Sequence, residues 1–250
     1  MKKQIICVIP ARLDSTRFPK KILANLSGKS LIRWAWEGAN RTELFDKVVI
    51  AIDDLETARV IDSFKGHWIM TDKRCLTGTE RLLELQKKGV VEGDIWVNWQ
   101  ADEPFLSQQI IKNLLQTCHD CSADIWTLKT KIVKEEEILD PNVCKVVCDQ
   151  RGHALYFSRS PIPYRRDNKE VTIYRHIGLY AYSAEALRKI QGMKPCPIEQ
   201  AESLEQLRFL FNGLKIQVHE TQHDSLGIDL PKHLVAAEEY LKKNPNLAFN

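Results

Sequence analysis

An α/β fold built on a mostly parallel, doubly wound sheet is what this 250-residue chain predicts. Short β-branched runs alternate with amphipathic segments over the first 120 residues or so, the pattern of strand–helix–strand units. Residues 130–182 depart from it and read as a β-rich lobe inside one domain spanning 1–250. No linker, repeat or low-complexity stretch interrupts the chain.

Element by element, strands are expected at 5–9 (IICVI), 47–52, 68–71, 94–99, 124–132, 144–148, 154–158, 174–182 and 215–220. Helices are expected at 29–41, 54–64, 78–88, 107–117, 184–190, 198–212 and 231–243. In NVCKVVCDQRGHALYFSR two strands meet at a turn, Asp149–Gly152. The last helix follows GIDLP, with Pro231 in its first turn.

Composition narrows the function. At 44% hydrophobic and 28% charged residues the chain reads as a soluble globular protein large enough to bury a core unaided. A net charge of +3 is too mild for a nucleic-acid partner, which needs a continuous basic face. No apolar run reaches membrane-spanning length, and MKKQIICVIPAR reads as a first core strand rather than a signal peptide. The expected compartment is the cytosol. Seven cysteines, an odd number, then read as free thiols. CHDC (118–121) has zinc-like spacing but no clean second pair, so buried or incidental thiols are the favoured reading.

In open α/β sheets ligands bind at the carboxyl ends of the strands. The polar segments to inspect are therefore 11–21, 53–54, 72–81 and 100–104. The first, CVIPARLDSTRFPKK, sets Arg12, Arg17, Lys20 and Lys21 around Ser15 and Thr16, a composition suited to a polyphosphate, though without the glycine spacing of a Walker loop. In NWQADEP two adjacent acids follow a strand and are closed by a proline, a way to present Asp102 to Mg²⁺. Asp229, isolated in GIDLP, fits either a metal ligand or the cap of the next helix; taken alone, the element favours the cap. A cationic loop with two separated aspartates suggests metal-assisted chemistry on a nucleoside triphosphate.

Eight blocks, IPARLDSTRFPKK, VVIAIDD, TGTERL, VNWQADEP, ALYFSRSPIP, RHIGLYAY, SLEQLR and GIDLP, occur in an order and spacing that resembles the 3-deoxy-manno-octulosonate (Kdo) cytidylyltransferases, the CMP-Kdo synthetases. The resemblance covers nearly the whole chain. It implies a nucleotide-diphospho-sugar transferase-like fold with a sugar-binding and dimerisation lobe at 130–182, and a homodimer. It also implies transfer of CMP from CTP to Kdo with Mg²⁺, for lipopolysaccharide assembly. Carried over by motif, Arg12 and Lys21 grip the triphosphate, with Arg17 a lesser candidate. Ala11, Thr77, Gly78, Thr79 and Gln100 contact the nucleotide, and Asp102 and Asp229 hold the metal. Gln100, Arg159, His176, Tyr180 and Glu205 face the sugar; Arg159 suits its carboxylate, and His176 is expected to donate to a hydroxyl unless it is simply a satisfied strand histidine. Glu205 is placed within a helix whose core face is Leu204, Leu207 and Leu210, and Glu80 and Arg81 on helix surface.

Three segments depart from the family pattern. FPKKIL stands where LPGKPL is usual, QADEP for QGDEP, and IDLPKHL for VDTPEDL. If the replaced glycines had positive φ, Lys20 and Ala101 would each strain the backbone by ~1 kcal/mol. The implied ligands are retained, which favours an active enzyme; a cytidylyltransferase for a related sugar acid (amino-Kdo or sialic-type) and a weakened, CTP-binding homologue are the alternatives.

Overall fold

The computed structural model describes residues 2–15, 18–120, 122–168, 170–222 and 226–244. Arg17 and Thr16 of the opening loop, and Cys121 of CHDC, lie outside the described residues. In chain order the strands are β1 (Ile5–Ala11), β2 (Asn25–Leu26), β3 (Lys29–Ser30), β4 (Lys47–Ile52), β5 (Trp68–Met70), β6 (Ile95–Asn98), β7 (Ile125–Lys131), β8 (Lys145–Cys148), β9 (Ala154–Ser158), β10 (Tyr174–Ser183) and β11 (Ile216–Glu220). The helices are α1 (Leu31–Arg41), α2 (Leu55–Ser63), α3 (Gly78–Lys88), α4 (Gln108–Leu114), α5 (Glu135–Leu139), α6 (Ala184–Ile190), α7 (Pro197–Glu202), α8 (Gln206–Phe211) and α9 (Pro231–Lys243). Two compact units result: a terminal unit, residues 2–108 and 226–244, and a middle unit, residues 109–222.

In the terminal unit β6, β1, β4 and β5 lie side by side, all parallel. β1 is central, and every residue of IICVIPA is buried, which explains a continuous apolar run instead of an alternating one. The helices between the strands begin on recognisable caps. Asp54 accepts from the Glu56 amide to start α2. Thr77 and Glu80 form a reciprocal capping box on α3, which ends on Gly89 at φ 63°. A small hairpin, β2–β3, turns through Ser27 (φ 50°) and Gly28 (φ 87°), the left-handed pair of a two-residue turn. An apolar cluster of Leu26, Leu31, Trp34, Phe105, Ile228, Ala237 and Leu241 ties this hairpin, α1, the segment after Asp102 and α9 together.

The middle unit has its own strand system. β7 pairs antiparallel with β10 and parallel with β11, while β8 pairs antiparallel with β10 and β9. The β8–β9 turn is the expected one: Asp149 Oδ1 accepts from the Arg151 and His153 amides, and Gly152 sits at φ 82°. The expected helix over 198–212 is two helices, α7 and α8, divided where Ser203 adopts φ 52°. Glu205 therefore stands at the N-terminal cap of α8 and not inside a continuous helix, and Phe209, not Leu210, is buried with Leu204 and Leu207.

The two replaced glycines behave differently. Ala101 is buried and is not among the residues of positive φ, so its methyl group carries no backbone penalty. Lys20 is left-handed (φ 52°, ψ 32°) and leads directly into the 3-10 turn Lys21–Leu23. Its ammonium donates to both Glu56 carboxylate oxygens at 2.7 Å, a half-exposed pair worth ~0–1 kcal/mol. A side chain in this conformation costs ~1–2 kcal/mol. Lys20→Gly is therefore expected to raise the unfolding free energy by ~0.5–1 kcal/mol despite losing the ion pair. Urea melts of the two proteins check this; a lower midpoint for the glycine variant would contradict it.

Candidate active site

At the carboxyl ends of β1 and β6 gather the terminal-unit residues that the sequence assigns to the nucleotide. Ala11 closes β1, buried and in register with Ile52 of β4. Arg12 follows it, exposed, with Nε donating to the Asp14 carbonyl at 2.7 Å. Asn98 ends β6, and Gln100 Nε2 donates to its side-chain oxygen at 3.2 Å. Gly78 opens α3 so close to this point that a Cβ would meet the Asn98 amide at 3.0 and 3.1 Å and Pro10 Cγ at 3.2 Å. A side chain there would crowd the Asn98 amide, which would have to give way by a few tenths of an ångström. Thr77 caps the helix and Thr79 is buried behind it. A cavity of about 540 Å³ lies beside the opening loop, lined by Arg12, Asp14, Ser15, Lys20, Asp53 and Lys73 among others.

Lys21 forms the centre of the charged arrangement. Its Nζ donates to Asp102 Oδ2 at 2.5 Å and to Asp229 Oδ1 at 3.1 Å. Burial alone would lower the ammonium, but Asp102 and then Asp229 outweigh it and hold Lys21 above the ordinary lysine value. The carboxylates reach this point because the Ile228 amide donates to the Asp102 carbonyl at 2.9 Å and because Phe105 and Ile228 are anchored in one apolar cluster. Asp229 does not cap α9: Leu230 is the N-cap residue, and the Asp229 amide instead donates to His233 Nδ1 at 3.1 Å. Among the described residues no cluster of three or more His, Cys, Asp or Glu side chains could hold a metal. Two convergent carboxylates already gripping a cation do fit Mg²⁺, which takes one or two carboxylates and completes its shell with water and phosphate oxygens.

Arg81 is not helix surface. It is 2% exposed and pairs with Asp53, an acid the sequence marked only as following a strand. The spacing Gly78, Arg81, Leu82, Leu85 is the i, i+3, i+4, i+7 stripe of a buried helix face, and it was the signal available for Arg81. Glu80 closes the capping box.

The sugar-side candidates other than Gln100 belong to the middle unit. Arg159 is held from both ends: its amide donates to Glu202 Oε2 at 2.8 Å, and the buried Lys145 ammonium donates to its carbonyl. The guanidinium Nε, Nη1 and Nη2 donate to the carbonyls of Glu202 (2.7 Å), Pro141 (2.9 Å) and Ser203 (3.3 Å). His176 and Tyr180 meet across an irregularity in β10 between Ile177 and Tyr180, with ring centroids 5.4 Å apart. His176 Nε2 lies 2.9 Å from Thr127 Oγ1, and that hydroxyl lies 2.8 Å from the Leu179 carbonyl and 3.1 Å from that of Ile177. The Tyr180 hydroxyl is buried with no hydrogen-bond partner. Burial pushes the phenol well above its usual range, with nearby Tyr182, Cys144 and Glu205 adding to it.

The cytidylyltransferase family model matches residues 6–216. A protein of Thermodesulfovibrio yellowstonii named 3-deoxy-manno-octulosonate cytidylyltransferase is 42% identical over 94% of this chain and 97% of its own length. The chain belongs to this family. A protein of the same name from Fusobacterium nucleatum is 40% identical, covering 95% of this chain and 96% of the relative. A solved structure of CMP:2-keto-3-deoxy-manno-octonic acid synthetase complexed with CTP superposes with a TM-score of 0.91 at 36% identity, over 96% of this chain and 99% of that one. A 4-diphosphocytidyl-2C-methyl-D-erythritol synthase from Anaerococcus prevotii, at 12% identity and a TM-score of 0.62, shares the fold. The family fold is thus the α/β fold that the strand–helix alternation predicts.

Burial pushes His176 down to about 3, whereas an unfolded histidine takes a proton below ~6.5. The folded state therefore binds fewer protons in this window. Its stability is intact above pH ~6.5 and falls as pH drops toward 3, by ~1.4 kcal/mol from this residue at pH 5.5. His176→Gln should narrow the stability gap to wild type by about that amount between pH 7.5 and 5.5; denaturant titrations giving an unchanged gap would refute the assignment.

Proposed function

We propose that the protein transfers CMP from CTP to the anomeric hydroxyl of 3-deoxy-D-manno-octulosonate, releasing pyrophosphate. The observation that carries this reading is the convergence of Lys21, Asp102 and Asp229 at the strand ends, in a chain whose relatives carry that activity in their names. The anomeric hydroxyl gives up its proton to solvent and its oxygen forms a bond to the α-phosphorus, while the bond from that phosphorus to the α,β-bridging oxygen breaks and pyrophosphate leaves with the electron pair. Positioning and charge neutralisation dominate such a step. In the proposal Arg12 and Lys21 neutralise the triphosphate, assisted by Arg17. Ala11, Thr77, Gly78, Thr79 and Gln100 position the nucleotide. Gln100, Arg159, His176, Tyr180 and Glu205 orient the sugar acid.

Asp102 and Asp229 would hold Mg²⁺, which when bound supplies Lewis-acid polarisation of a phosphoryl oxygen. Lys21 makes the arrangement plausible in charge terms, since it keeps both carboxylates close together as a cation would. The proposal also includes a homodimer formed through the β-rich segment 130–182. Val133, Leu139 and Tyr164, 92%, 71% and 87% exposed, are the apolar side chains of this segment that the proposal assigns to the partner surface. A cytosolic setting, read from the sequence, and a role in lipopolysaccharide assembly, implied by the family resemblance, complete the proposal. Among the described residues no helix is long and apolar enough to cross a membrane.

Protein, CTP, Mg²⁺ and Kdo should together release pyrophosphate, and Kdo should be preferred when amino-Kdo and a sialic acid compete with it. Silence across neutral to alkaline pH would sink the reading. Asp102→Asn should lower kcat at least 100-fold by weakening the charge on which the metal depends; turnover near wild type would remove Asp102 from the site. Sedimentation should give twice the chain mass, and Val133→Asp with Leu139→Asp should shift it toward the monomer; a wild-type monomer would refute the dimer.

A further inference from the structure

The ion pair between Asp53 and Arg81 belongs to the terminal unit and is almost fully withdrawn from water, its side chains 5% and 2% exposed. Arg81 Nη2 donates to Asp53 Oδ2 at 2.8 Å and to the Cys75 carbonyl at 3.2 Å, while Nη1 donates to Thr71 Oγ1. Thr71 is fastened in turn, its amide and hydroxyl both donating to the Ile52 carbonyl, at 2.7 and 2.8 Å. The pair thus joins the end of β4, the segment after β5 and the first turn of α3. The remaining Asp53 oxygen, Oδ1, accepts the backbone amide of Leu13 at 3.0 Å. That amide belongs to the opening loop, between Arg12 and Asp14.

Stability alone gives no reason for charges here. Well-packed apolar residues of similar volume commonly match or exceed a buried ion pair, because desolvation offsets the attraction. What an apolar pair cannot do is accept the Leu13 N–H. A carboxylate can, and it can stay buried only with a guanidinium beside it. The chain of dependence runs from Arg81 to Asp53 to the loop backbone.

We propose that Asp53 and Arg81 are positioning residues for the triphosphate: they fix the loop at Leu13, and so fix where Arg12 presents its charge, without touching the nucleotide. This deepens the CTP reading above and rests on it. Asp53→Asn is the sharp test, because it preserves size. If the amide oxygen stays on Leu13, its NH₂ faces the donors of Arg81; if it flips, the NH₂ faces the Leu13 N–H. Either orientation sets donor against donor.

Hydrogen exchange of the peptide 11–20 and calorimetric binding of CTP, on wild type and Asp53→Asn, read the effect. The expected result is at least tenfold faster exchange at Leu13, a Kd and KM for CTP raised about tenfold, and a KM for the sugar acid within twofold of wild type. A purely structural role would lower the melting temperature and leave those CTP constants unchanged in the folded protein. Wild-type loop protection and CTP affinity in the variant would overturn the proposal. If the variant does not fold, Arg81→Lys, which keeps the charge and loses the fork, is read the same way. Failure of wild type to bind CTP would refute the functional reading instead, and the exchange measurement would still decide the tie at Leu13.

Discussion

Two carboxylates aimed at one point repel each other unless a cation stands between them, and in the terminal unit that cation is Lys21. Much of the surrounding structure serves to bring these three groups together from distant parts of the chain. Lys21 arrives on a short turn whose preceding residue, Lys20, is bent into the left-handed region. Asp102 arrives on the segment after β6, which Phe105 anchors among apolar side chains, and Asp229 arrives beside Ile228, anchored in the same cluster. The Ile228-to-Asp102 backbone hydrogen bond sets the two acidic segments side by side. The exact fit of an apolar cluster is thereby converted into the placement of charges.

The middle unit solves a different problem, holding polar groups in a nearly dry setting. The Lys145 ammonium donates to the carbonyls of Asp140, Val143 and Arg159. Burial lowers its pKa, opposed by Cys144 and Asp140. Glu202 completes the framework by accepting from Ser158 Oγ and the Arg159 amide. These contacts hold the Arg159 guanidinium on three backbone carbonyls and its amide on Glu202.

Most of the fold was legible because apolar periodicity and turn chemistry agree along this chain. Each expected strand is present, and GTERLLELQKK matches α3 residue for residue because Thr77, Glu80 and Gly89 mark its ends. What escaped was either too short or lacked a punctuating residue. The β2–β3 hairpin has two-residue strands, although Ser27–Gly28 was a usable turn signal. α5 has five residues. The break at Ser203 has neither glycine nor proline, and it depends on tertiary contacts of Glu202 that no local pattern reveals. Strand-end position pointed to the segments in which Lys21, Asp102, Asp53 and Arg81 stand, but charge type misled. Arg81 looked like surface because arginine usually is, and Asp229 looked like a cap because aspartate usually is. Partners remote in sequence, Asp53 for one and Lys21 for the other, decided both.

The Thr127 hydroxyl has a single proton, and that proton is directed at the carbonyls of Leu179 and Ile177. Toward His176 the oxygen can therefore only accept, which assigns the imidazole hydrogen to Nε2. With the ring neutral, Nδ1 is left as a lone pair. One threonine in the middle of β7 thus fixes the tautomer of a histidine on the neighbouring strand and makes that nitrogen an acceptor. A hydroxyl brought to it would have to supply the hydrogen itself.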